Sequence, residues 1–187
     1  AAALVLEGGA IHVDGEGTLL TTESCLLNPN RNPDFSREEI EEVLRQYLGV
    51  KQILWLNGGL QDDDTDGHVD NIACFARPGV VLALNSSDPQ DGNYAVLADN
   101  LARLRAAQDA AGRNLEVIPI EQPRRREMED GRRLALSYIN FYIANGGIVM
   151  PAFEDPQDRH AFDAIQKAFA DRQVVQIPAT EIVFGGG

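Results

Sequence analysis

Residues 62–84, DDDTDGHVDNIACFARPGVVLAL, hold the pattern that decides how this chain folds. Two apolar runs end this stretch, and the Pro78-Gly79 pair between them is typical of a turn between strands. Before the first run, five acidic residues, a glycine and a histidine fall within nine positions, residues 62–70. The stretch therefore predicts an acidic loop that leads directly into two strands, His68–Phe75 and Val80–Leu84.

The order strand, strand, helix, strand surrounds this stretch and occurs three times along the chain. Ser36 and Glu39 form an S-x-x-E capping box, Gly49 ends the helix that follows, and Asn145-Gly146 joins two strands. The other predicted strands are Leu4–Leu6, Ile11–Val13, Thr18–Thr22, Ile53–Leu56, Leu115–Pro119, Ser137–Ala144, Gly147–Met150 and Val174–Ile177. The other predicted helices are Tyr94–Ala111, ended by Gly112, and one that begins at Asp155 and Pro156.

A threefold ββαβ order predicts an α/β fold made of similar modules. Ordinary α/β sheets alternate single strands with helices, which this chain does not do. Repeats of about 60 residues indicate modules that pack side by side. We therefore expect a single partial domain over residues 1–187 with modules at residues 1–60, 61–122 and 123–187.

The bulk composition excludes several classes of partner. A formal net charge of −13 would repel phosphates, so we expect no nucleic-acid partner, whereas a small cation would be attracted. No apolar run is long enough to span a bilayer, and two cysteines are too few for a disulfide framework, which favours the cytoplasm. Strand-like residues at both ends, 3–6 and 184–187, lead us to expect a piece of a longer protein.

A metal site is one interpretation of the acidic stretch. Asp62, Asp64, Asp66 and Gly67 fit a calcium-loop pattern, but Ala73 stands where the pattern requires a bidentate glutamate. The histidines for a zinc site are scattered along the chain, without paired spacing, at His12, His68 and His160. We therefore expect no metal.

A catalytic interpretation uses the histidine and its neighbours. On an extended strand His68 and Asp70 would point the same way, about 7 Å apart. A histidine can transfer protons near neutral pH, and a carboxylate can bind a planar cation through paired hydrogen bonds. Glu7 precedes His68 by 61 residues, about one module, so equivalent module edges could bring the two together. Spacing alone leaves a purely structural role for these residues open.

The arginines between the second and third modules have a simpler interpretation. Arg124–Arg126 and Arg132-Arg133 flank a short acidic run. Charge runs of this kind usually lie on a solvated surface, so we expect a solvated loop or a helix start there.

Several longer motifs resemble those of one enzyme family. The matching stretches are Leu6–Gly9, Asp14–Thr22, Cys25–Asn28, Asn30–Pro33, Gly67–Asp70 and Asn140–Gly147. Together, in order and over essentially the whole chain, they resemble the agmatine deiminases of the guanidino-group-modifying (pentein) superfamily. The resemblance implies an α/β-propeller of five ββαβ modules, of which this chain would supply about three.

The resemblance also implies roles for individual residues. In the family a cysteine thiolate attacks the guanidinium carbon of agmatine, and the products are N-carbamoylputrescine and ammonia, without a cofactor. His68 matches the general acid and base, Glu7 matches the glutamate that orients it, and Asp70 matches a carboxylate that holds the guanidinium.

The nucleophile of the family has no match within the chain. The family motif Gly-Gly-Gly precedes the catalytic cysteine by a few residues, so we expect that cysteine shortly after Gly187. Cys74 is interpreted as a buried core thiol, and Cys25 lies in a motif that does not supply the nucleophile. A second guanidinium-binding aspartate is expected from the N-terminal portion. We therefore expect the 187 residues alone to be inactive.

Two other functions stay open. One is a peptidylarginine deiminase-like enzyme that acts on arginine in peptides. The loop Gln122–Arg133 is shorter than its family counterpart, which leaves substrate selectivity and subunit contacts open. The other is a non-catalytic module that binds guanidines or serves only as structure. We also expect the chain either to form a homo-oligomer or to pair with the remainder of the protein.

Overall fold

The structure, a computed structural model, describes residues 4–185. The strands are β1 His12–Val13, β2 Thr18–Thr22, β3 Gln52–Leu56, β4 Ala73–Arg77, β5 Val80–Asn85, β6 Glu116–Glu121, β7 Tyr142–Ala144, β8 Gly147–Ala152 and β9 Gln173–Pro178. The helices are α1 Glu23–Leu26, α2 Arg37–Leu48, α3 Tyr94–Ala106, α4 Asp158–Ala168 and α5 Thr180–Phe184. Two single turns of 3-10 helix lie at Gly8–Ala10, the first 3-10 turn, and Val69–Asn71, the second 3-10 turn. No helix within the described residues is long and apolar enough to cross a membrane.

Three small sheets share one topology. Each has three strands in the orders β1-β2-β3, β4-β5-β6 and β7-β8-β9. In each sheet the middle strand runs antiparallel to the first and parallel to the third, and a helix connects the second and third strands. The predicted ββαβ order is therefore observed three times, while the division at residues 60 and 122 stays a prediction.

Local sequence signals fix the boundaries of the first unit. Ser36 Oγ accepts a hydrogen bond from the Glu39 backbone N–H at 3.2 Å, and the Glu39 carboxylate accepts one from the Ser36 N–H at 2.8 Å. Gly49 ends α2 with φ of 69°, a left-handed conformation that glycine adopts without strain. Asp14 Oδ1 accepts bonds from the Glu16 and Thr18 N–H groups and closes the hairpin between β1 and β2. The predicted capping box and turn are confirmed.

The predicted strand Leu4–Leu6 is wrong. Residues 5–7 are irregular, and the Asn32 side chain pairs with the Val5 backbone in place of a strand. Asn32 Oδ1 accepts from the Val5 N–H at 2.9 Å, and its Nδ2 donates to the Val5 carbonyl at 3.1 Å. Both backbone hydrogen bonds that a neighbouring strand would make are thereby satisfied by one amide. Ala3 lies outside the described residues.

The strand predicted at His68–Phe75 begins only at Ala73. The residues before it form the second 3-10 turn, and the Ile72 N–H donates to the Val69 carbonyl at 2.8 Å. His68 lies at the N-cap of that turn, just as Glu7 lies at the N-cap of the first 3-10 turn. The two modules therefore place Glu7 and His68 at equivalent positions, as predicted, but on turns rather than on strands.

Side-chain hydrogen bonds also shorten three other predicted elements. Helix α3 ends at Ala106 instead of Ala111, because Asp109 Oδ1 accepts from the N–H groups of residues 111 and 113 and holds a turn there. The strand predicted from Ser137 is reduced to β7, since Ser137 Oγ accepts from the Ile139 N–H. Asp155 Oδ1 accepts a hydrogen bond from the Gln157 N–H. Helix α4 therefore begins at Asp158, after the predicted start at Asp155 and Pro156.

The chain after β9 also differs from its prediction. Phe184 was expected at the end of a strand, but it ends the short helix α5. Gly185 follows that helix, and its N–H donates to the Ile182 carbonyl at 3.0 Å. Gly186 and Gly187 lie outside the described residues.

One arginine of the segment between the second and third sheets is buried. Arg133 is only 3% exposed, and it donates to Asp91 Oδ1 at 2.7 Å and to Gln122 Oε1 at 3.2 Å. Its backbone N–H also donates to Asp62 Oδ2 at 2.8 Å, so it anchors the acidic loop, residues 62–66. The prediction of a solvated segment is wrong for Arg133, while Arg132 beside it lies near the surface and pairs with Asp64.

Replacement of Arg133 by methionine should destabilise the chain by about 3 kcal/mol, because the partly buried Asp91 carboxylate loses its cation. Arg132→Met is the matched control, since the exposed Arg132–Asp64 pair should contribute little to stability. Urea unfolding followed by circular dichroism measures both variants. Equal stability of the two variants would contradict the assigned role of Arg133.

Candidate active site

Glu7 and His68 contact each other where the two 3-10 turns meet. Glu7 Oε2 lies 2.6 Å from His68 Nε2, and the two side chains are 42% and 13% exposed. The hydrogen bond with His68 and the bond from Arg31 hold the pKa of Glu7 below its ordinary value, against the opposing effect of burial. An ionised Glu7 therefore accepts the Nε2 proton of His68, which leaves Nδ1 as the ring nitrogen available for chemistry.

Asp70 lies on the other side of the His68 ring. A Cβ atom added to Gly9 would collide with both Asp70 Oδ2 and His68 Nδ1, so these two atoms pack against the glycine of the first 3-10 turn. The predicted proximity of His68 and Asp70 is observed, but the turn produces it instead of the expected extended strand. Glycine is required at residue 9 because a side chain there would occupy the space of the site.

One oxygen of the Asp70 carboxylate has no hydrogen-bond partner. Asp70 Oδ1 is buried and makes no hydrogen bond. Burial raises the pKa of Asp70 to about 6, and the nearby His68 opposes this effect. Buried polar atoms in proteins are nearly always hydrogen-bonded, so an orphaned carboxylate oxygen marks a place for a donor from a ligand.

Arg31 is a site residue to which the sequence assigned no role. Its Nε donates to Glu7 Oε2 at 2.9 Å, its Nη1 to Asp66 Oδ2 at 2.8 Å, and its Nη2 to the Thr65 carbonyl at 2.8 Å. The Arg31 side chain is 10% exposed. The stretch Asn30–Pro33 carried the signal, because it is one of the motifs that matched the family.

The acidic loop positions His68 by hydrogen bonds. Thr65 Oγ1 accepts from the His68 N–H at 3.1 Å and donates to Asp63 Oδ1 at 2.7 Å. Asp66 is held by Asn30 at 2.7 Å as well as by Arg31. The carboxylates of this loop therefore accept hydrogen bonds from separate partners within the chain.

Cys25 lies closer to the site than its motif indicated. Its Sγ, a Glu7 carboxylate oxygen and a His68 ring nitrogen all lie within 4.8 Å of one another. Three such donors could in principle hold a metal ion, but the Arg31 guanidinium on Glu7 already supplies a positive charge there. Burial raises the pKa of the Cys25 thiol to about 11, and it raises the pKa of the fully buried Cys74 thiol as well. Both thiols are therefore poor nucleophiles.

A cavity of about 540 Å³ opens beside His68 and Asp70. One wall is acidic and belongs to the second module. Other lining residues are apolar and come from the part of the chain around the third sheet, and they include Phe141, Tyr142, Val149, Ile177 and Ile182. A cavity with acidic and apolar lining residues suits a cation attached to a short aliphatic chain.

Comparisons with known proteins agree with this geometry. A match to the Porphyromonas-type peptidyl-arginine deiminase family covers residues 1–187. The agmatine deiminase of Pseudomonas fluorescens is 50% identical over 200 aligned positions, which cover 98% of this chain and 54% of that protein. The chain therefore spans about half the length of the curated relatives it matches.

Solved structures give the same result. The agmatine deiminase of Enterococcus faecalis superposes with a TM-score of 0.93 at 39% identity, covering 98% of this chain and 55% of that one. A C. jejuni agmatine deiminase with substrate bound superposes with a TM-score of 0.91 at 30% identity, covering 100% of this chain and 54% of that one.

The fold is a mixed α/β fold of the kind found in solved agmatine deiminases. The chain belongs to the Porphyromonas-type peptidyl-arginine deiminase family. The resemblance to agmatine deiminases and the predicted fold class are confirmed. The structure brings Glu7, His68 and Asp70 together, while their chemical roles stay predictions.

Asp70→Asn should make the chain more stable at neutral pH. Because the fold raises the pKa of Asp70 to about 6, the ionised form of Asp70 destabilises the fold. This loss of stability is absent well below pH 4 and complete above about pH 6. The variant should gain on the order of 2 kcal/mol at about pH 7.5 and lose this advantage as the pH falls to about 4. Urea unfolding across this range is the measurement.

The control for this variant is Asp64→Asn, which makes the same substitution at an exposed carboxylate of the acidic loop and removes no buried charge. Lower stability of Asp70→Asn than of the wild type at neutral pH would contradict the proposed cost of burial.

Proposed function

We propose that the full-length protein is an agmatine deiminase, which converts agmatine and water to N-carbamoylputrescine and ammonia. The observation that carries the proposal is the Glu7–His68 pair at 2.6 Å beside a carboxylate, Asp70, with an unpartnered buried oxygen. Similarity to agmatine deiminases, one of them solved with substrate bound, supports the assignment.

Asp70 would recognise the guanidinium group. Its unpartnered Oδ1 can accept an N–H bond from the substrate, and the cation would relieve the penalty of the buried charge. The apolar lining residues of the cavity would contact the methylene groups of the chain between the two nitrogen-bearing ends of agmatine. Binding would therefore favour a cation over a neutral molecule of the same shape.

His68 would transfer protons at Nδ1 while Glu7 holds the Nε2 proton. A cysteine thiolate from the remainder of the protein forms a C–S bond to the guanidinium carbon. The C–N bond to an amino group then breaks, and His68 donates the proton that releases ammonia. Water, deprotonated by the same histidine, adds to the amidino-cysteine carbon, and cleavage of the C–S bond frees N-carbamoylputrescine and the thiolate.

The 187 residues alone should release no ammonia. Neither thiol of the chain can replace the expected cysteine, because Cys25 and Cys74 are both buried and burial raises the pKa of each.

Two free thiols also support a cytoplasmic location, where cysteines stay reduced.

A second candidate is a peptidylarginine deiminase, favoured by the name of the matching family. The same site chemistry would serve arginine within a peptide, since both substrates end in a guanidinium group. A third, non-catalytic role would require only the Asp70 subsite.

The decisive experiment measures ammonia release by the full-length protein from agmatine and from arginyl peptides. Agmatine should be the better substrate, and His68→Ala should lower kcat by roughly 100- to 10,000-fold, the usual contribution of general acid and base catalysis. Normal turnover by His68→Ala would refute the role of His68, and faster turnover of peptides would favour the second candidate. Binding of agmatine without ammonia release would favour the third.

Substitution of two neighbouring glycines tests the shape of the site. Gly9→Ala should weaken agmatine binding strongly, because the added methyl group would displace His68 and Asp70. Gly8→Ala is the control, since a Cβ there meets no atom within 4 Å. Titration calorimetry with agmatine measures both variants, and unchanged affinity for Gly9→Ala would contradict the assigned subsite.

A further inference from the structure

Arg31 joins three parts of the site that lie far apart in the sequence. It belongs to the loop after α1, and it reaches Glu7 before the first 3-10 turn and both Thr65 and Asp66 in the acidic loop. Its three nitrogens, Nε, Nη1 and Nη2, donate hydrogen bonds of 2.8–2.9 Å to these groups. Such a guanidinium, fixed at several points, is a rigid cation rather than a mobile surface charge.

The bond from Arg31 falls on the oxygen that contacts His68. Glu7 Oε2 accepts from Arg31 Nε at 2.9 Å and lies 2.6 Å from His68 Nε2. The Glu7 side chain is 42% exposed, so without Arg31 it would be free to rotate toward water. The neighbours that face Glu7 are the His68 ring, the Arg31 guanidinium and the Cys25 thiol, and the Asp66 carboxylate lies on the far side of Arg31.

We propose that Arg31 is a positioning residue, which holds the Glu7 carboxylate aligned on His68. Arg31 itself does not line the cavity, so it would act on the substrate through Glu7 and His68. The geometric part of the inference concerns this chain alone. Its catalytic consequence rests on the proposed deiminase function.

The charge of Arg31 has a defined effect on titration. Its hydrogen bond and its charge both help to hold the pKa of Glu7 below the ordinary value. Loss of Arg31 should therefore raise the pKa of Glu7, so that the carboxylate becomes protonated at higher pH than in the wild type. The acidic limb of a pH–rate profile that requires ionised Glu7 would move in the same direction.

A merely structural role predicts something different. If Arg31 only tied loops together, its loss would lower stability and alter the titration of Glu7, but it would leave kcat and the acidic limb of the pH–rate profile unchanged. The two roles are therefore separated by the pH dependence and not by the loss of activity alone.

The first test needs no turnover. In the full-length protein, the side-chain carboxyl carbon of Glu7 is followed by 13C NMR as a function of pH, with Glu7→Gln used to assign its signal. Arg31→Met should raise the pKa of Glu7. Arg37→Met, which removes an arginine bound to Glu23 outside the site, should leave it unchanged. An unchanged Glu7 titration in folded Arg31→Met would overturn the proposal.

The second test uses turnover of agmatine by the full-length protein. Arg31→Met should lower kcat by roughly 10- to 100-fold, the range found when hydrogen-bond partners of functional groups are removed from metal sites, with little change in KM. The acidic limb should move to higher pH. A reduced kcat with an unmoved acidic limb would also overturn the proposal.

Arg31→Lys keeps the inference testable if the methionine variant does not fold. Lysine retains the charge but cannot reach three acceptors at once, so kcat should fall with little change in KM, and a wild-type kcat would count against the proposal. An inactive wild-type protein would refute the proposed function, while the NMR titration would still decide the position of Arg31.

Discussion

The close contact of the two 3-10 turns is the constraint on which the site depends. Gly9 of the first turn packs against His68 and Asp70 of the second, with no space for a side chain between them. This contact fixes the distance between Glu7 and His68, because each lies at the N-cap of its own turn. Repetition of one module therefore creates the site, since equivalent edges of two neighbouring modules face each other.

Electrostatic balance decides which acidic groups remain available. The chain has a net charge of −13, yet arginines or hydrogen-bond donors engage most carboxylates around the cavity. Arg31 pairs with both Glu7 and Asp66, and Arg132 pairs with Asp64. Asp70 alone among these retains a buried oxygen without a partner. The arrangement leaves one carboxylate, instead of the whole acidic loop, with a buried oxygen able to accept a hydrogen bond.

Much of the fold could be predicted because its signals are local. The capping box at Ser36, the turn at Pro78-Gly79 and the apolar runs of the middle strands depend on neighbouring residues only. The predictions failed where a distant side chain replaced a backbone partner, as Asn32 does for Val5. They also failed where a short polar side chain formed a turn, as Asp109 does after α3. The burial of Arg133 had no local signal, because its partners are 42 and 11 residues away.

The sequence by itself determined the repeated ββαβ order, the resemblance to one enzyme family, and the candidates Glu7, His68 and Asp70. These follow from residue types and spacing, which can be read from the sequence without knowledge of any long-range contact. Only the tertiary structure decided that Asp70 keeps an unpartnered oxygen, that Cys25 lies beside the site, and that Arg31 holds Glu7. The burial, pKa and orientation of these side chains depend on groups that come together from different modules. That proximity exists only in the packed chain.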